Sequence, residues 1–287
     1  MRGTMMIDWS RAAAPQDDLY DALLACHLAS TTTNAQRPEP FVHRVAGNAP
    51  HIFDGAVAVR YVQATAPGAP VFSNGPLEHA NIHAAVDYVR RWPVAFEQMR
   101  MLIDTFHPLA RPDVAESEYR EGYGSYSGST DDRLGTLFAT VFDPIGLAQA
   151  FVHEMGHNKL RALGVNLESA DRLILNPPDE LYVSPVIKDR LRPMTAVLHA
   201  EYSFAYITAL DIVLIETEPE GVRRQLLFRL LARNLARIEE GIEEIRRHIR
   251  VDPQGEAFVA GLYAWIEELI GRGRHLLEAR TIPADVH

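Results

Sequence analysis

Within the stretch Phe151–Leu160, FVHEMGHNKL, His153, Glu154 and His157 form the pattern HExxH. On an α-helix, residues four apart differ by about 40° in azimuth and ~6 Å along the axis, so both imidazoles leave one face in successive turns. Two imidazoles so placed converge on one divalent ion. The setting gives the short pattern its weight. Asp143-Pro144 is a helix start, because Asp accepts from exposed amides and Pro suits the first helical position. Gly164 is the matching stop. The spacing therefore predicts a helix over Pro144–Ala162, with Ile145, Leu147, Ala150, Phe151, Val152 and Leu160 to bury it.

A functional metal site needs at least one further ligand and an open position. The chain has 12 histidines. His248 and His275 belong to amphipathic carboxy-terminal segments and His287 is terminal, so these read as surface residues. His79 and His83 share the four-residue spacing but sit among alanines, as in an ordinary packed helix. His199 is the stronger candidate, in LRPMTAVLHAEYSFAY (Leu191–Tyr206). Glu201 follows two residues later and points about 160° away on a regular helix, so the segment offers His199 or Glu201, not both. Zinc hydrolysis can use Glu201; non-haem iron chemistry can use either.

The elements that must position these groups are mostly helical. Helices are predicted over Asp17–Ala29, over Leu77–Trp92 with a second one from Pro93 to Phe106, over Arg192–Glu216, over Gly221–Ile249 and over Glu256–Ala279. The Gly221–Ile249 segment carries one stripe of Leu and Ile backed by Arg and Glu. Strands are expected within His51–Ala64, closed by a turn at Pro67–Pro70, and at Leu134–Phe142 (LGTLFATVF). Ser30–Pro50 and Asn166–Asp189 lack periodicity. Tyr119–Asp132 (YREGYGSYSGSTDD) has the composition of a turn or an active-site loop. The expected fold is a single, mainly α domain with a small strand element beside the HExxH helix. Its amino-terminal part (1–133) offers loop candidates for substrate, 134–217 the metal-site core, and 218–287 the amphipathic helices.

A net charge of −10 over 287 residues opposes nonspecific binding to nucleic acid or anionic membranes. One cysteine, Cys26, excludes an internal disulfide and suits a reducing compartment. Asp8 and Arg11 interrupt any signal-like apolar stretch, and no apolar run reaches the ~18 residues of a membrane span. A cytoplasmic protein is expected.

HEMGHNKLRAL, followed by SPVIKDRLRPMTAVLHAEYSFAY, resembles the HEXXH-motif peptide-modification proteins of ribosomally made natural-product pathways, which are 2-oxoglutarate-dependent peptide β-hydroxylases. The likeness covers about Leu147–Leu210. It implies that His153 and His157 hold Fe(II), with His199 in the third position. Arg192 would then anchor the distal carboxylate of 2-oxoglutarate, a role that suits the bidentate guanidinium fork. Tyr123, Tyr126 and Tyr202 become candidates to line the substrate or cosubstrate pocket. Lys159 becomes a supporting residue directed away from the two histidines. Glu154 becomes a group that orients ligands or substrate, and the partner becomes a precursor peptide, with a homodimer also open to the chain.

Two other readings remain. In a zinc metallopeptidase, Glu154 is the general base and an edge strand holds extended substrate, for which Leu134–Val141 is available. The longer metzincin signature is absent, since NKLRALGVNLE follows His157. In a non-enzymatic helical scaffold, the charged Gly221–Ile249 helix binds a partner.

Overall fold

A computed structural model describes residues 7–31, 50–60, 79–109, 125–129, 133–186 and 190–281. The fold is mainly α with a small mixed sheet. Its helices are α1 (Trp9–Ala12), α2 (Tyr20–Thr31), α3 (His79–Arg90), α4 (Pro93–Leu102), α5 (Pro144–Ala162), α6 (Met194–Thr217), α7 (Val222–His248) and α8 (Pro253–Thr281). Five strands form the sheet: β1 (His51–Ile52), β2 (Val57–Val59), β3 (Thr105–Leu109), β4 (Ser127–Ser129) and β5 (Thr136–Thr140). Their order is β1-β2-β3-β5-β4, with β2, β3 and β5 parallel. β1 and β4 run antiparallel at the two ends. A separate two-stranded ribbon pairs β6 (Leu181–Tyr182) with β7 (Arg192–Pro193).

The HExxH helix runs as its caps dictate. Asp143 Oδ1 accepts from Ile145 N at 3.0 Å, Pro144 opens α5, and the chain leaves at Gly164 with φ +95°. α5 is nearly all buried, with the sheet on one side and α6 on the other. Phe151 meets Phe53 and Phe106 edge to face, at 5.3 and 5.1 Å between centroids, and so joins α5 to the sheet. On the other side Gly156 lets α6 approach closely, since a Cβ there would lie 3.2 Å from the Tyr206 ring. Asn158 pins helix to sheet: its Oδ1 accepts from Gly135 N at 2.8 Å and its Nδ2 donates to Glu154 O at 2.9 Å.

The sheet is where the sequence expectations shift. His51–Ala64 is not one strand, because Phe53, Asp54 and Gly55 all take positive φ and turn β1 back as β2. Residues beyond 60, the turn at Pro67–Pro70 included, lie outside the described residues, as does most of Ser30–Pro50. The helix from Pro93 ends at Leu102, and the segment to Phe106 instead enters β3 between two parallel neighbours. The Arg192–Glu216 helix starts two residues late, because Arg192 and Pro193 belong to β7.

By length and average composition α6 could cross a membrane, although His199, Glu201 and Asp211 interrupt its apolar run. Here it is the central core helix, covered by α5, α7 and α8.

Candidate metal centre

His153 and His157 leave α5 as their spacing requires. Their Nε2 atoms stand 3.1 Å apart and the rings cross at 86°. Two bare imidazole nitrogens at this separation repel unless a proton or a cation lies between them. Burial presses the pKa of His153 down to about 4 and that of His157 well below the ordinary imidazole value, with His153, His199 and Arg161 adding to the latter. Both rings are thus held in the neutral form that binds metals. Among the described residues, His153, Glu154 and His157 form the group whose ligand atoms all lie within 4.8 Å of one another. The donor set fits a divalent transition metal, which two imidazoles and a carboxyl suit.

Glu154 turns toward the edge strand. Ser127 Oγ donates to its Oε1 at 2.7 Å, and Oε2 is buried without a partner. Burial raises its pKa to about 7, against the opposing hydrogen bonds of Ser127 and Ser129. Oε1 lies 3.9 Å from His153 Nε2. Ser127 carried no signal of its own, although it falls in the Tyr119–Asp132 segment whose composition suggested a site loop.

A pocket of about 200 Å³ opens over the two histidines. α6 contributes Ala196, Ala200 and Phe204, and the ribbon region contributes Ser184, Val186 and Arg192. Among the described residues that line it, Arg192 is the one with a full charge. Glu201, the alternative to His199 as a ligand, does not line this pocket: both its carboxylate oxygens are buried without partners over Gly241. Burial raises the Glu201 pKa well above the carboxylate range.

Helical period explains which α6 residues reach the pocket. Ala196, Ala200 and Phe204 form an i, i+4 stripe, and the Phe204 ring meets the His153 ring at 5.4 Å. His199 and Glu201 flank that stripe on opposite sides. Tyr202, expected at the pocket, is turned away into the core against Tyr206, Phe258 and Trp265. Tyr126 is exposed at the rim of the sheet against Phe138, and Tyr123 lies outside the described residues. His199 does reach the pair, from behind: its Nδ1 lies 2.9 Å from Nδ1 of His157, and its Nε2 lies 2.8 Å from the Val165 carbonyl.

Opposite the histidines, Lys159 is wholly buried. Its Nζ donates to Asp21 Oδ2 and, at 2.9 Å, to Tyr206 Oη. Gln98 Nε2 donates to the same Asp21 oxygen at 2.7 Å and its Oε1 accepts from Tyr206 at 2.8 Å. This network closes on itself across α2, α4, α5 and α6. His83 is exposed on α3.

No protein-family model matches the chain, and no curated protein matches it.

Proposed function

We propose that the chain is a metal-dependent oxygenase that hydroxylates a peptide side chain, with 2-oxoglutarate as cosubstrate. The observation that carries this reading is the presence of Arg192 on the same pocket wall as His153 and His157, while Glu154 lies off that wall. An arginine facing an otherwise largely apolar cavity is a receptor for a carboxylate, and its planar fork takes one in bidentate fashion. Leu167, Val186, Ala196, Ala200 and Phe204 exclude water around it.

His153 and His157 would hold Fe(II) through Nε2. The ion would supply oxidative decarboxylation of the keto acid to succinate and CO2, coupled to delivery of one oxygen atom to a C–H bond. Arg192 orients the distal carboxylate so that the keto end faces the histidines. Phe204 fixes the His153 ring by an edge contact. Glu154, tied to Ser127, holds the start of the site against the edge strand. The likeness of the 147–210 region to peptide β-hydroxylases of natural-product pathways supports a β-carbon of a precursor peptide as the target, and a cytoplasmic setting accords with it. Burial pushes the Cys26 thiol up to about 11, above the range of reactive thiols.

One observation favours zinc peptidase chemistry: Glu154 has its pKa raised to about 7 beside an antiparallel edge strand. That edge is β4; the Leu134–Val141 run considered for it forms the interior strand β5. Reconstitution separates the two readings. The apoprotein is loaded anaerobically with Fe(II) or Zn(II), given 2-oxoglutarate and then O2, and succinate is measured. Succinate from the iron form alone supports the proposal. Peptide cleavage by the zinc form, without succinate from either, rejects it.

A further inference from the structure

His199 sits beside the metal pair in a way that gives it a different task from binding the ion. A carbonyl oxygen only accepts, so the 2.8 Å contact between Val165 O and His199 Nε2 places the proton on that nitrogen. In the neutral ring Nδ1 is then bare. Nδ1 meets Nδ1 of His157 at 2.9 Å. The ring centroids are 5.1 Å apart with 27° between planes, so the two rings face each other end to end, as in an N–H···N hydrogen bond. His157 therefore carries its proton on Nδ1, which leaves its Nε2 bare and directed at Nε2 of His153.

We propose that His199 is a positioning residue rather than a ligand: it accepts from His157 Nδ1–H and so locks the tautomer that offers Nε2 to the metal. Direction in this chain comes from the end of α5. Gly164 takes φ +95° and Val165 N donates back to Leu160 O at 3.0 Å, while Asn166 N–H, which shares a peptide plane with the Val165 carbonyl, donates to Ser169 O at 2.8 Å and so fixes where that carbonyl points. The turn that ends the HExxH helix thus sets the orientation of its second imidazole, through one backbone oxygen and one intervening ring. This inference rests on His153 and His157 binding a metal, and is independent of whether the reaction is oxygenation or hydrolysis.

The direct test uses the full-length, metal-free protein labelled with 15N-histidine. Two-bond 1H–15N correlations should show His157 protonated at Nδ1 and His199 at Nε2. His199→Gln supplies an amide oxygen to accept from His157 and an N–H for Val165, so it should keep the Nδ1–H form of His157 and nearly wild-type Zn(II) affinity, read by competition with a chromophoric chelator. His199→Phe removes the acceptor; His157 should become a mixture of tautomers, with Zn(II) affinity roughly 10–100-fold weaker, as for lost outer partners of metal-bound histidines. His157 protonated at Nε2 in the metal-free wild type overturns the proposal. So does a loss in His199→Gln as large as in His199→Phe, which would mark His199 as a ligand. If His199→Phe does not fold, the wild-type tautomer and His199→Gln decide. A chain that binds no Zn(II) would remove the metal reading itself, whereas absent succinate alone would leave this proposal standing.

Discussion

The two faces of α5 carry buried polar groups in opposite states of satisfaction. On the Lys159 face, Lys159, Asp21, Gln98 and Tyr206 exchange hydrogen bonds, and Gln16 N adds a further one to Asp21 Oδ1 at 3.1 Å. On the histidine face, His153 Nδ1 and Glu154 Oε2 are buried without partners, and two imidazole nitrogens confront each other. Unsatisfied buried groups cost stability and are few in native proteins, so where they gather beside a pocket they mark a site shaped for a ligand. Lys159 and His153 lie on one helix within six positions, yet one is paired within the core and the other lines a pocket.

That contrast can be broken from either side. Lys159→Met should have the largest effect, a loss of ~3–5 kcal/mol in denaturant stability, because it strands the Asp21 carboxylate in the core. Stability loss below about 1 kcal/mol would contradict the structural role. His153→Ala should do the reverse: Zn(II) affinity falls by more than the ~100-fold upper range for outer-sphere partners, while denaturation midpoints shift by about 1 kcal/mol or less. Calorimetric titration and urea melts on the same preparation read both. Arg192→Ala should weaken 2-oxoglutarate binding to the iron-loaded protein by the worth of a charged hydrogen-bonded contact, ~1.5–3 kcal/mol, with Zn(II) affinity unchanged.

A pH-dependent effect comes from Asp211 on α6, whose carboxyl accepts from Gln149 Nε2 at 2.7 Å, one turn before His153 on α5, and from Asn234 Nδ2 at 2.8 Å. Burial raises its pKa from 3.8 to about 7. The folded state therefore keeps a proton that the unfolded chain releases. Its contribution is full at low pH, declines as pH rises from about 4 to about 7, and stays low above. Asp211→Asn should flatten that decline, so that the variant gains on wild type between pH 5 and pH 8. Parallel stability curves for the two proteins would contradict the assignment.

Much of the helical frame was legible because its signals are local. Asp143-Pro144 and Gly164 bracket α5 at the residues observed, and the Leu and Ile stripe of α7 is buried as its period requires. The strand β2 falls within the expected His51–Ala64 segment, but the three-residue β4 and the five-residue β3 were not legible, since their pairing is set by neighbours distant in sequence. At the site, the spacing of His153 and His157 singled out a pair that the fold brings together, while Arg192 entered through the family resemblance and lines the same pocket. The facing of Tyr202 followed from helical phase once the pocket stripe 196/200/204 was known. Ser127, the Val165 carbonyl and the ring orientation of His199 depend on tertiary contacts that no spacing encodes.

The central claim is that the His153–His157 pair and Arg192 together form one receptor for a metal-bound keto acid. Anaerobic calorimetric titration of 2-oxoglutarate into the Fe(II)-loaded protein tests it most directly. One equivalent should bind to wild type, more weakly to Arg192→Ala and not at all to His153→Ala. Binding that is absent from the iron-loaded wild type, or that is unchanged in both variants, would contradict the account.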